Sequence, residues 1–229
     1  MVKPVNSTQG NTIDREPPQV PRLETSRLWL RPWSADDVEE YARIVGDPEV
    51  MRYMGSGLRY KAKRAVASLI ALVSDMESRL KIRRLIRHWQ RCAFGEWAVE
   101  EKTTGRLIGQ IGLTHHPDWI ADPAKVEVGW LLARDAWGRG FATEGATATL
   151  AYAFEHLKLE RIVSIARVEN VRSQRVMGRI GLFPVGGTHW KGSEVVWWAI
   201  DRPTWEQDTV GKGRWEGFLD LRNPSDRKA

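Results

Sequence analysis

Apolar and polar positions change period several times along the chain, and each change marks an element. Leu28 and Leu30 alternate with Trp29 and Arg31, the period of a strand, and Pro32 ends it. Ser34 with Asp37 makes a helix cap, after which Val38, Tyr41, Ala42 and Val45 share one face until Gly46 and Pro48. Ala62, Ala65, Val66, Leu69, Val73, Met76 and Leu80 keep helical spacing, and Ile82, Leu85, Ile86 and Trp89 follow in a second register. A break near Ser78 to Lys81 is therefore expected to join two helices. From Gly95 the period falls to two. Trp97 and Val99 alternate, Thr103-Thr104-Gly105 supplies a turn, and Leu107, Gly109, Ile111 and Leu113 form the next strand.

The stretch Val126 to Phe183 organises the rest. Val126, Val128 and Trp130 alternate with Glu127, Gly129 and Leu131, and the turn Trp137-Gly138-Arg139-Gly140-Phe141-Ala142 then opens a helix carrying Ala142, Ala146, Leu150, Ala153, Phe154 and Leu157. A strand from Arg161 to Val168 and another helix complete an order that builds a parallel pair around a crossover helix. Two closing strands, Leu182 to Trp190 and Glu194 to Ile200, meet at Lys191-Gly192-Ser193, and Pro203 ends the second. Trp197 and Trp198 must face opposite sides.

Two glycines at a helix start let backbone N–H groups converge where the helix carries partial positive charge, so the turn is a cradle for a phosphate or pyrophosphate, and Arg139 adds a cation. The third glycine of G-x-G-x-x-G is missing, since Thr143 stands there, and no G-K-[ST] ends the loop. Dinucleotide dehydrogenase and ATPase readings fall.

The run V-E-V-G-W-L-L-A-R-D-A-W-G-R-G-F-A-T-E-G-A, with Asn170-x-x-Ser173 and Gly181-Leu182-Phe183, resembles the GNAT superfamily of acetyl-CoA-dependent N-acetyltransferases. Within it the chain looks like the branch of ribosomal-protein alpha-amino acetyltransferases. The opening L-E-T-S-R-L-W-L-R-P-W and F-G-E-W-A-V-E-E-K-T-T-G-R-L-I-G-Q-I-G-L resemble the same family, and the likeness spans Leu23 to Trp205. It implies a mixed α/β fold, a twisted sheet of about seven strands with a splayed parallel pair, flanked by helices.

The resemblance also implies a site. Trp137, Gly138, Arg139, Gly140, Phe141, Ala142 and Thr143 would hold the pyrophosphate of acetyl-CoA, and Leu131, Leu132 and Ala133 would run beside the pantetheine arm. A backbone donor near Leu131 would stabilise the oxyanion. Asn170 would support the arm, and Ser173 would hydrogen-bond the departing thiolate or act as its general acid; a helix N-cap role competes for both. Glu127 is the first candidate for general base, because it lies on the strand approaching the acetyl group with parity opposite to Val126 and Val128. A structural hydrogen bond on the sheet is its competing role, and His115 or His116 is the second choice for base. Of Trp197 and Trp198, one belongs to the core and the other borders the acceptor groove. The acceptor implied is a primary amine: a protein alpha-amino terminus first, a small amine next. A non-catalytic CoA-binding or RNA-binding module on the same fold is the alternative.

Composition narrows the setting. The 229 residues, 42% hydrophobic, suffice for one core, so Leu23 to Trp205 reads as one domain between a flexible extension, residues 1–22, and a tail, residues 206–229. The tail reads as mobile or as docking a second copy in a homodimer, with Trp215 and Phe218 packing part of it. The single cysteine, Cys92, excludes an intrachain disulfide framework and argues against an acyl-enzyme, and the chain start lacks a signal-peptide core, so a cytoplasmic setting is expected. The longest mainly apolar run, Ala65 to Val73, is far short of the roughly 20 residues a span needs. Adjacent His115 and His116 without further ligands make no metal site. A net charge of +6 suits an anionic partner. The segment Arg79 to Arg91, with Lys81, Arg83, Arg84 and Arg87 and no acid between Glu77 and Glu96, would meet RNA, a ribosomal surface or an acidic protein, or form a solvated face over an apolar stripe.

Overall fold

The computed structural model describes residues 20–54, 67–212 and 219–220, of which 67–75, 208–212 and 219–220 are described by backbone alone. The expected extension up to residue 19, the helical positions Ala62 to Val66, and Trp215 and Phe218 lie outside them.

In chain order the elements are β1 (Arg22–Glu24), β2 (Leu28–Arg31), α1 (Asp37–Gly46), α2 (Ala67–Cys92), β3 (Glu96–Glu101), β4 (Leu107–His115), β5 (Val126–Leu132) and α3 (Phe141–Ala151). Then come β6 (Arg161–Arg167), α4 (Val171–Arg179), β7 (Phe183–Trp190), β8 (Ser193–Asp201), α5 (Arg202–Lys212) and β9 (Leu219–Asp220). A single mixed sheet runs β7-β8-β6-β5-β4-β3-β2-β1-β9. The two short strands β1 and β9 extend one edge beyond the strands the alternation predicts. The boundary expected after residue 205 falls within α5, whose Trp205 packs on Phe154 at 5.3 Å.

Helices cover both faces. Tyr41 of α1 donates to Gln110 Oε1 at 2.8 Å, whereas Gly145 of α3 sits so close to the next residue of β4, Ile111, that a Cβ there would lie 2.5 Å from its Cδ1. Successive strand residues point to opposite faces, so α1 and α3 flank opposite sides. α2 packs along α1. It is one continuous helix, not two: no glycine or proline interrupts it, and the stripe Ser78, Ile82, Leu85 and Trp89 is buried throughout. The second register in the sequence is the drift of one stripe around the helix.

The sheet opens at its centre. β4 and β5 pair from Gly109↔Leu132 to His115↔Val126, and β6 and β8 from Arg161↔Asp201 to Arg167↔Val195. Between them, the parallel neighbours β5 and β6 register at Glu127↔Val163 alone. In a continued parallel ladder the amide of Ile165 would donate to the carbonyl of Val128. Here it donates to Glu127 Oε1 at 3.2 Å. The carboxylate takes the ladder's next donor, and beyond it the strands diverge.

Candidate active site

The glycine turn lies at the open end of β5. Gly138 and Gly140 have φ of +74° and +82°, a left-handed conformation that side chains rarely adopt. Gly140 is the N-cap of α3 and places no side chain over the first turn, while its carbonyl takes the Glu144 amide at 3.0 Å. The amides of Phe141, Ala142 and Thr143 precede the first intrahelical bond and stay open to an anion. These residues fit a pyrophosphate.

Carboxylates at the back fix the turn. Glu144 accepts from Thr25 Oγ1 (2.6 Å), Ser26 Oγ (3.0 Å), the Arg27 amide (2.8 Å) and Arg27 Nε (2.7 Å), and Arg27 Nη1 reaches the carbonyl of Arg139 at 2.9 Å. Burial pushes the Glu144 carboxyl up, but these hydrogen bonds outweigh it and hold it below its ordinary value. Arg139 does not offer the expected free cation. Its guanidinium hydrogen-bonds the buried carboxylate of Glu101 and lies over Phe141 at 4.5 Å from the ring centre. That bond holds Glu101 below the usual carboxylate range against the opposing effect of burial.

The strand register decides which amides face the gap. Ala133 N–H donates to the carbonyl of Ile108 at 2.8 Å, so the amide of Ala133, and with it those of Leu131 and Gly129, turns toward β4. Leu131 is therefore not the open donor. The amides of Trp130 and Leu132 point the other way, into the space between β5 and β6. Trp137 Nε1 donates to the Leu132 carbonyl at 2.9 Å, which occupies one of the acceptors on that side. Trp130 was missed because alternation gives parity, not which neighbour each set addresses.

Glu127 and His116 meet on the other side of the gap. Glu127 Oε2 lies 2.6 Å from His116 Nε2, with side chains 17% and 16% exposed, so both reach solvent without being immersed in it. His115 is the last residue of β4 and registers with Val126. The His116 ring meets Trp190 edge-on at 4.9 Å, and Trp119 joins Trp190 and Trp197 at 5.2 and 5.6 Å. Trp197 thus belongs to this aromatic wall, whereas Trp198 on the opposite face comes within 3.4 Å of where a Cβ on Gly178 of α4 would lie. Trp119 and Trp190 had no period or motif to mark them. Among the described residues no group of His, Cys, Asp and Glu has the makings of a metal site.

At the open end of β6, Asn170 caps α4 by accepting the Ser173 amide at 3.2 Å, so the competing structural role exists for Asn170. Ser173 stands in the first turn, and Arg172 lies over the Trp137 ring at 5.0 Å from its centre, which brings α4 against the glycine turn. Ala133 lines an open cleft with Ile44 and Val50 beside the end of β5. On α2, Arg83, Arg84, Arg87 and Arg91 are exposed opposite buried Ile82, Leu85 and Trp89. No helix among the described residues is long and apolar enough to cross a membrane.

Residues 27–182 match the family model described as "Acetyltransferase (GNAT) domain". The chain belongs to the GNAT family. One relative, the Bacillus subtilis uncharacterized N-acetyltransferase YnaD, is 37% identical over 160 residues, covering 70% of this chain and 81% of its own. Among solved structures, an acetyltransferase from Agrobacterium tumefaciens superposes with a TM-score of 0.63 at 27% identity, over 79% of this chain and 94% of the other. RimL, a ribosomal L7/L12 alpha-N-protein acetyltransferase in complex with coenzyme A, shares the fold with a TM-score of 0.58 at 16% identity, over 77% and 95%.

Proposed function

We propose that this GNAT protein moves an acetyl group from acetyl-CoA to a primary amine, a protein alpha-amino terminus in the first place, by direct attack in a ternary complex. The observation that carries this reading is the juxtaposition of two strand amides turned toward one gap, those of Trp130 and Leu132, with the Glu127–His116 pair. Bound on the turn, acetyl-CoA supplies the thioester whose acetyl carbon forms the new C–N bond as its C–S bond breaks.

The chain's residues then have separate tasks. The Trp130 and Leu132 amides donate to the carbonyl oxygen as it gains charge; fixed donors of this kind contribute about 3 kcal/mol each. The Glu127–His116 pair takes the proton the attacking amine must lose. An alpha-amine with a pKa near 8 needs little help at neutral pH, whereas a lysine-like amine near 10.4 is mostly protonated, and this favours the former. Ser173, in the first turn of α4, hydrogen-bonds the departing sulfur. Cofactor-bound RimL, alike in fold, supports the choice of cosubstrate, and membership of the ribosomal-protein branch remains part of this proposal.

The test is calorimetric titration with acetyl-CoA and free CoA on the wild type and on Gly140→Trp, followed by acetyl transfer across a panel of peptides and small amines. Wild-type binding that vanishes in the variant, with turnover on free N-termini, is the expected result. Absence of binding to either ligand would defeat the enzyme reading in favour of an interaction module.

A further inference from the structure

Arg139 of the glycine turn and Arg27 behind it are both paired with carboxylates. Arg139 is bonded to the buried Glu101, and Arg27 is held by Glu144 at 2.6 Å. The turn therefore offers backbone amides and a helix N-terminus, which suit the singly charged phosphates of a pyrophosphate, but no free guanidinium.

Unspent positive charge stands across from it, on α4. Arg172 is exposed, its Cζ lies 5.0 Å from the centre of the Trp137 ring, and it has no ion pair with a carboxylate among the described residues. Trp137 is itself held by its bond to Leu132, so the guanidinium rests on a fixed platform one residue before Gly138. Arg175 and Arg179 follow at i+3 and i+7, exposed on the same face, and the sequence has no acid between Glu169 and Glu194. Coenzyme A carries, besides its pyrophosphate, a 3′-phosphomonoester, whose charge near neutrality is about −1.5 to −2. A group of that charge calls for a guanidinium, which meets phosphate with two parallel N–H bonds.

We propose that Arg172, with Arg175 one turn on, binds the 3′-phosphate of the cosubstrate, so that the protein distinguishes CoA from its 3′-dephospho form. The inference rests on the turn being the CoA cradle, and it adds a second anion site beside it, built from α4. Arg139 takes no part in this second site, because its charge is spent on Glu101.

The experiment titrates CoA and 3′-dephospho-CoA into wild type, Arg172→Gln and Arg172→Lys. Arg172 is exposed and outside the core, so the variants should fold, which their unfolding curves will verify. The wild type is expected to bind CoA about tenfold or more tightly than the dephospho form, the gain of a charge-assisted contact. Arg172→Gln should lose that advantage while its affinity for dephospho-CoA stays at the wild-type value, and Arg172→Lys should keep part of it. Equal wild-type affinities, or a variant that weakens both ligands alike, would overturn the assignment and leave the cradle reading standing. If neither ligand bound the wild type, both would fall together.

Discussion

Glu127 accepts the amide hydrogen of Ile165 with one carboxylate oxygen and meets His116 with the other. The same side chain thus ends the β5–β6 ladder and places an imidazole at the gap this creates. Glu127→Gln keeps an oxygen for Ile165 but removes the charge, so it should lower turnover about a hundredfold with CoA affinity unchanged. Equal loss of CoA binding in titration would instead assign Glu127 a purely structural role.

At Gly140 the backbone conformation costs an L side chain roughly 1 kcal/mol or more, and a Cβ would lie 3.3 Å from Arg27 Nη2. Gly140→Ala should therefore lower the urea midpoint modestly and weaken CoA at least tenfold, because the turn must shift. Unchanged affinity would show that the α3 amides are not the ligand's donors.

Glu144 gathers the turn between β1 and β2 onto the start of α3. Glu144→Ala leaves the Arg27 amide and the Thr25 hydroxyl, on a residue 7% exposed, without this acceptor, a loss of about 2 kcal/mol. Since the folded carboxyl titrates below its ordinary 4.5, the wild-type contribution is present above that pH and lost as the pH falls further; the variant should lack this part of the acid dependence. Unfolding measured from pH 7 to pH 3 checks both points.

His88 works in a different window. Burial first, then the neighbouring charges of Arg91, His115, His116 and Lys81, lower its pKa from 6.5 to about 4. The unfolded chain takes up the proton more readily, so stability should decline as pH falls from about 6.5 to 4 and the contribution should level off below that. His88→Leu should flatten this decline, and an unchanged slope in urea titrations across that range would contradict it.

β2 was legible in the sequence because it buries Leu28 and Leu30 while Trp29 and Arg31 stay partly exposed; β3 and β4 are covered on both faces and were legible only from the spacing of Trp97 and Val99 and of Leu107, Ile111 and Leu113. The two glycines of the turn were legible because few other residues take their φ. What escaped depended on contacts distant along the chain. Arg139 looked like a ligand cation until Glu101, on another strand, was placed beside it. The choice of Trp130 over Leu131 needed the Ala133–Ile108 bond, which alternation does not encode. The supposed break in α2 was an error of the opposite kind: one stripe drifting around a continuous helix reads in the sequence as two registers.

The pairing of Arg22 with Asp220 and of Leu23 with Leu219 joins the first to the last of the described strands. During synthesis the outer edge of β1 must wait, with its backbone groups unpaired, until residues 219 and 220, about 200 positions later, have been made. Truncation before residue 219 would leave that edge permanently open to strands of other molecules. A deletion far from the chemistry could thus show itself first as aggregation during expression, with the catalytic apparatus intact in whatever remains soluble.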